Sequence, residues 1–281
     1  MRYEDPWNTE ALDLRSYHER LGTQAHVPDR ATLDRLTEAH IRAFTFDNID
    51  VLLGDGPHVD LASVSGKFLE RGRGGYCFEH GVLFAAALER LGYDVRRRLG
   101  RVGDPTESAR AHMAVEIVLD GRRWLADPGF DAGLLRPIEL RDGAQDTYGG
   151  ATHRVRRVVE ETAVSWELQR WTRGAWERQH TTDELPVRPV DVDMANHYVS
   201  AHGDSPFRTM LTVSGHLVEG SHVTLTQGTV TVRRPGARTT KRELGEGELG
   251  EWLDRLGVPL TGAEREELHA AVADLHVGAP S

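Results

Sequence analysis

Between Arg71 and Leu91 the chain reads Arg-Gly-Arg-Gly-Gly-Tyr-Cys-Phe-Glu-His-Gly-Val-Leu-Phe-Ala-Ala-Ala-Leu-Glu-Arg-Leu, and it holds Cys77, the only cysteine among 281 residues. Gly72, Gly74 and Gly75 crowd the approach to that thiol. Backbone without a Cβ bends sharply there or presses close against a neighbour. Beyond the thiol, Val82, Leu83, Ala85, Ala86 and Leu88 predict a buried helix ending near Leu91, with Gly92 as its stop. Cys77 therefore falls at a helix N-terminus, where unpaired N–H groups and the positive end of the dipole favour a thiolate. Such a thiolate is a nucleophile once another group takes its proton.

Plainer readings compete. A lone cysteine is most often a small buried hydrophobe. Glycine-rich turns before helices also cradle phosphate, but Ser65-Gly66-Lys67-Phe68 has no hydroxyl after its lysine and no upstream glycine at the Walker spacing. The thiol gains meaning only from partners downstream.

Composition removes several function classes. With 34 basic against 44 acidic residues the net charge is −10, which argues against nucleic acid or an anionic membrane as the main partner. No apolar run reaches the roughly 18 residues of a membrane span, and Met-Arg-Tyr-Glu-Asp-Pro-Trp at the start lacks a signal-peptide core. A single cysteine rules out an intramolecular disulfide and fits a reducing cytoplasm. Among 14 histidines there is no His-Glu-x-x-His, and His197 and His202 are spaced wrongly for one helix face, so no metal is expected.

The chain up to about Gly92 reads as helical. Leu12, Leu14, Tyr17 and Leu21 form one stripe ending at Gly22; Pro28-Asp29 opens a second helix carrying Leu33, Leu36, Ile41 and Phe44. Phe46 to Gly54 reads as an ordered turn, and a third helix spans about Leu61 to Glu70. After Tyr93 the period changes to two. Strands are predicted at Val95–Val102, His112–Leu119, Arg122–Asp127, Val155–Val159, Ser165–Trp171 and Trp176–Thr181, the pattern of a small barrel or curled sheet. Pro186 to Pro189 reads as a connection. Strands His222–Thr226 and Thr229–Arg234 follow, then a stripe of Leu249, Trp252, Leu253 and Leu256. A capping box at Thr261–Glu264 starts the last helix, and Gly278–Ser281 reads as a loose tail.

One hairpin carries the decisive geometry. If Asp120-Gly121 is a two-residue turn, Leu119 faces Arg122 and Asp127 lies opposite Ala114, one diagonal step from His112 on the same face. Diagonal neighbours sit roughly 7–8 Å apart, within reach of a hydrogen bond between long side chains. Singly, His112 is an ordinary strand histidine and Asp127 the polar end of a strand. Taken with Cys77 they are the parts of nucleophilic catalysis: a thiol, an imidazole to hold its proton, and a carboxylate to orient the ring.

These residues resemble the arylamine N-acetyltransferases nearly end to end. Arg73-Gly74-Gly75-Tyr76-Cys77-Phe78-Glu79 is similar to that family's nucleophile motif, and His112 in His-Met-Ala-Val-Glu-Ile-Val-Leu and Asp127 in Asp-Pro-Gly-Phe match its other triad positions. Phe46-Asp47-Asn48-Ile49-Asp50-Val51-Leu52-Leu53-Gly54 and His202-Gly203-Asp204-Ser205-Pro206-Phe207 match two further signatures. The resemblance implies an α/β class, multidomain α+β chain. A helical bundle domain (1–92) carries the nucleophile, a β-barrel domain (93–200) carries His112 and Asp127, and an α/β lid domain (201–281) closes over them. The Cys-His-Asp core is papain/transglutaminase-like. It implies acetyl-CoA as co-substrate with no permanently bound cofactor, and a small aromatic amine as acceptor. Substrate contacts are implied at Phe46, Gly129, Phe130 and Phe207.

Three positions depart from the family pattern. His80-Gly81 stands where Asn or Gln is common, Asp131 where Gly is common, and Thr45-Phe46-Asp47-Asn48 where Pro-Phe-Glu-Asn is usual. Two alternatives follow: an amide synthase of the same fold acting on a larger acyl thioester, and a papain- or transglutaminase-like hydrolase, to which the signatures at Phe46 and His202 do not belong.

Overall fold

The computed structural model describes residues 5–131, 133–160 and 163–277; the tail expected at 278–281 lies outside them. α1 (Leu14–Leu21) begins where the Asp13 carboxylate accepts from the amides of Arg15 and Ser16, and stops at Gly22, whose φ is 64°. α2 (Arg30–Ala43) is capped by Asp29, which accepts from the Thr32 amide. The expected turn is a short strand, β1 (Phe46–Asp47), followed by α3 (Ile49–Leu52). α4 (Leu61–Ser65) runs on into a π-helical turn, Gly66–Glu70.

α5 (Cys77–Arg90) is buried from Cys77 to Leu88. Its Phe78, Val82, Leu83 and Ala86 pack with Tyr17, Phe44 and Phe68, while Phe84, Ala85 and Leu88 pack with Leu33, Leu36, Val115 and Ile117. A helix apolar all round needs partners on every side. The other helices supply one wall and the barrel supplies the opposite one.

The barrel consists of β2 (Asp94–Val102), β3 (His112–Leu119), β4 (Arg122–Ala126), β5 (Ile138–Glu139), β6 (Gln145–Tyr148), β7 (Ala151–Glu160), β8 (Ala163–Thr172) and β9 (Ala175–Asp183). These form one sheet in the order β5-β4-β3-β2-β9-β8-β7-β6, nearly closed on itself. Asp120 and Gly121 have φ of 51° and 72°, the backbone of a two-residue hairpin turn, and Leu119 faces Arg122 as the sequence predicts. β4 ends one residue earlier than expected: Asp127 lies beyond the ladder, because Pro128 has no N–H to continue it. The two- and four-residue strands β5 and β6 had no alternating pattern to announce them.

The remainder comprises α6 (Pro189–Ala201), α7 (Pro206–Thr209), β10 (Val213–His216), β11 (His222–Leu225), β12 (Thr229–Arg233), β13 (Thr240–Glu243), α8 (Glu248–Arg255) and α9 (Gly262–Val277). The expected connection at Pro186–Pro189 leads straight into α6, with Pro189 in its first turn. The second sheet runs β1-β10-β11-β12-β13, so β1 of the helical region forms its edge. Asn48 fastens this join. Its Nδ2 donates to the carbonyls of Phe207 (2.7 Å) and Met210 (2.8 Å), and its Oδ1 accepts from the Thr212 amide (2.8 Å).

Candidate active site

The glycines before Cys77 serve close approach. A Cβ on Gly74 would overlap the Thr45 carbonyl, and one on Gly75 would overlap the Glu79 carboxylate. Glu79 reaches back to accept from the Tyr76 amide at 3.0 Å, capping the first turn of α5. Its other oxygen meets Lys67 Nζ at 2.8 Å, and Lys67 also meets Asp50 at 2.7 Å. Burial still pushes the Glu79 carboxyl up to about 7, against the pull of Lys67. The lysine that failed as a phosphate ligand in the sequence thus holds the start of the nucleophile helix.

Cys77, 3% exposed, is the first residue of α5. From the barrel side, Gly129 presses on it: a Cβ there would lie 2.5 Å from Cys77 Cα. Gly81, one turn along α5, makes the matching contact with β3, since a Cβ there would lie 2.9 Å from Met113 Cγ. Gly129 therefore lets the barrel loop meet the nucleophile at backbone distance, and Gly81 leaves room for the Met113 side chain against α5.

That approach unites the three residues expected from the sequence. His112 Nε2 lies 3.0 Å from Asp127 Oδ2, and the Cys77 thiol, whose Sγ lies 3.9 Å from the Ala111 carbonyl next to His112 in the chain, is near enough to the same imidazole to favour its charged form. With Nε2 committed to the carboxylate, Nδ1 is the nitrogen left for sulfur. Burial opposes a charge on His112, but the Asp127 carboxylate and the contact with Cys77 prevail and hold its pKa up at about 10. Asp127 is fully buried, yet the neighbouring imidazoles keep its carboxyl well below the ordinary carboxylate range.

The sequence did not point to the next partner. His180, on β9 and fully buried, places Nε2 2.8 Å from the same Asp127 Oδ2, with its ring centroid 4.7 Å from that of His112. Burial lowers its pKa despite the pull of Asp127, which favours the neutral ring. His112, Asp127 and His180 also bring ligand-type atoms within 4.8 Å of one another, a grouping that sequence spacing gave no means of seeing. Both nitrogens stand within 3.0 Å of one oxygen, and only His112 meets it with hydrogen-bond geometry.

The Phe130 ring covers both imidazoles, its centroid 5.3 Å from His112 and 5.5 Å from His180. Phe46, His80, Pro128 and Phe130 line one end of a cavity of about 390 Å³. Phe207 does not line it. The Asn48 bonds hold Phe207 behind Phe46, with ring centroids 6.2 Å from Phe46 and 5.6 Å from Tyr76. Gly129 meets the nucleophile backbone rather than the cavity.

A family model described as N-acetyltransferase matches residues 29–264. The arylamine N-acetyltransferase of Mycolicibacterium smegmatis is 31% identical over 277 residues, covering 94% of this chain and 98% of that protein. The crystal structure of Nocardia farcinica arylamine N-acetyltransferase superposes with a TM-score of 0.87 at 34% identity, over 95% of this chain and 97% of that one. The Mycobacterium marinum arylamine N-acetyltransferase, solved in complex with CoA, gives a TM-score of 0.84 at 27% identity, over 94% and 99% of the two chains. The chain belongs to the arylamine N-acetyltransferase family.

Proposed function

We propose that this enzyme moves an acetyl group from acetyl-CoA, through a thioester on Cys77, to the nitrogen of an arylamine. The observation that carries the reading is a buried thiol opening a helix, beside an imidazole that is itself 3.0 Å from a buried carboxylate. The sulfur of Cys77 attacks the thioester carbonyl. The C–S bond to coenzyme A breaks, and the leaving thiolate takes the proton held by His112. The amine then attacks the acetyl carbon, His112 accepts its proton, and the Cys77 sulfur leaves. Asp127 keeps Nδ1 of the ring facing sulfur and stabilises the imidazolium. Backbone N–H groups at the start of α5 stand where the tetrahedral oxyanion forms. Because CoA and amine approach one carbon, the kinetics are ping-pong.

Phe46 and Phe130 form the aromatic side of the acceptor slot, with Phe207 backing Phe46 and Gly129 setting the slot against Cys77. The chain divides into a nucleophile-bearing helical unit (1–92), a barrel (93–200) and a lid (201–281). A reducing cytoplasm suits a reaction that needs a free thiol. Among the described residues, no helix is long and apolar enough to cross a membrane.

Intact-protein mass spectrometry after mixing with acetyl-CoA, then with an arylamine, tests the reading. One acetyl group should appear on Cys77 and disappear on adding the amine. An adduct on lysine or serine, or transfer surviving in Cys77→Ala, would end it.

A further inference from the structure

None of the residues from Ala195 to Phe207 lines the cavity beside Phe130, yet this segment closes on the residue next to the nucleophile. α6 turns Val192, Ala195 and Val199 into the apolar cluster that holds Tyr76, Cys77 and Phe78. Those positions are three and four apart, one face of a helix, and Asn196 is the polar side chain on that face. Its amide is committed at both ends. The Pro57 carbonyl only accepts, so Nδ2 faces it and donates at 2.9 Å. Oδ1 is then the atom that accepts from the Tyr76 hydroxyl. Tyr76 is fully buried, and burial holds its phenol far above the ordinary value, so the proton stays on the hydroxyl to be donated. From the end of the same segment the Phe207 ring meets Tyr76 edge-on, with centroids 5.6 Å apart.

Tyr76 has extended backbone (φ −112°, ψ −170°) and hands the chain directly to Cys77. Its amide donates to Glu79 at 3.0 Å and its carbonyl accepts from the His80 amide at 3.1 Å, so Tyr76 and the first turn of α5 move as one piece. A tether on the Tyr76 side chain is therefore a tether on the sulfur. We infer that Asn196 is a positioning residue for the nucleophile: by holding the Tyr76 hydroxyl against the Pro57 loop, it fixes where Cys77 stands relative to His112. The inference rests on the reading of Cys77 as the nucleophile. It gives α6, the helix that follows the barrel, a part in placing the sulfur. Without Asn196 the buried hydroxyl loses its acceptor, and a polar group left unpaired costs enough to shift the ring that carries it. A misplacement of about 1 Å at a reacting atom is worth on the order of 100-fold in rate.

The test pairs Tyr76→Phe, which removes the hydroxyl and keeps the ring, with Asn196→Ala. Each variant is measured by single-turnover acetylation of Cys77 by acetyl-CoA, by the rate of Cys77 alkylation with iodoacetamide across pH, and by urea unfolding. Each single variant should acetylate about tenfold more slowly, the rate equivalent of one hydrogen bond. The double variant should be no slower than the worse single one, because both remove the same bond. Alkylation in mild acid, which needs the thiolate beside His112, should fall in step with acetylation. Asn196→Asp, which keeps an acceptor for the hydroxyl, should recover part of the rate where Tyr76 is intact and none in Tyr76→Phe. Losses that multiply in the double variant would overturn the inference. So would single variants that are less stable yet acetylate and alkylate within about twofold of wild type. If acetyl-CoA leaves wild-type Cys77 unacetylated, the transfer reading fails by itself, and the alkylation comparison still decides whether Asn196 positions the sulfur.

Discussion

At Gly129 the loop after β4 passes so near the nucleophile that an added methyl group would stand 2.5 Å from Cys77 Cα and 3.0 Å from its carbonyl oxygen. Carbon atoms in contact prefer about 3.5–4.0 Å, so Gly129→Ala drives loop and helix apart by about 1 Å. Neither side yields through a flexible side-chain tip: α5 is packed on all faces, and the loop is pinned by the contacts of Asp127 with two histidines. Overpacking of this kind costs about 1–3 kcal/mol, and a misplacement of about 1 Å costs on the order of 100-fold in rate. The assay is single-turnover acetylation of Cys77 by acetyl-CoA, with urea unfolding of the same samples. The expected variant is folded, less stable by that margin and slower by about two orders of magnitude. Gly66→Ala is the control, since Gly66 has helical φ and ψ (−59° and −41°) and open space where its Cβ would go. Acetylation of Gly129→Ala within about threefold of wild type, at unchanged stability, would refute the claim that this contact sets the geometry of the site.

Asp127→Asn keeps an oxygen for both imidazoles but removes the charge that holds His112 up at about 10. Transfer should fall by about 10³–10⁴-fold with the fold intact; a loss under about tenfold would show the charge to be unimportant. Stability against pH gives a second readout. The raised pKa of His112 stabilises the fold fully below its ordinary 6.5, and that contribution is lost as pH rises through about 10. The depressed pKa of Asp127 contributes above its ordinary 3.8 and is lost as pH falls. Wild type should therefore exceed Asp127→Asn most between these two ordinary values, with the margin shrinking towards pH 10 and in acid; a margin flat across that range would contradict the ion pair. His180→Ala removes a partner from Asp127 Oδ2, leaving the carboxylate wholly to His112. The alkaline limb of the pH profile for Cys77 alkylation should move upward, and His180→Gln, which keeps an N–H donor, should move it back. A limb that stays put or moves down in His180→Ala would deny His180 any part in positioning the triad.

What the sequence disclosed follows the range of the interactions. α5 and the β3–β4 hairpin were legible because an apolar helix with a glycine stop and an Asp-Gly turn are local signals, and the hairpin register alone carries Asp127 towards His112. β5 and β10, of two and four residues, show no alternating pattern and exist because neighbours pair with them. His180 lay within the segment read as strand β9, but its meeting with Asp127 depends on β2 pairing with both β3 and β9. Barrel closure decides that, and no local pattern encodes it. The position of Phe207 was hidden for a related reason. Its aromatic ring suits a substrate slot, yet the Asn48 side chain, far away in sequence, fixes its backbone behind Phe46.

His80, the departure nearest the nucleophile, has the same kind of explanation, and it bears on the chemistry. Its Nε2 lies 3.0 Å from the Thr45 carbonyl, which only accepts, so Nε2 carries the proton. Nδ1 must then accept from His40 Nε2, 3.0 Å away, and His40 Nδ1 in turn accepts from the Tyr17 hydroxyl at 2.9 Å. Every proton in the chain has one place, and burial pushes His80 down to about 4 and His40 well below its ordinary value. An imidazole locked neutral with one donor and one acceptor does the work of a side-chain amide, the group common at this position in the family. Its donor also reinforces Thr45, whose carbonyl accepts the Gly75 amide at 3.2 Å and so fixes the turn that delivers Cys77. His80 thus lines the cavity without offering a second base there.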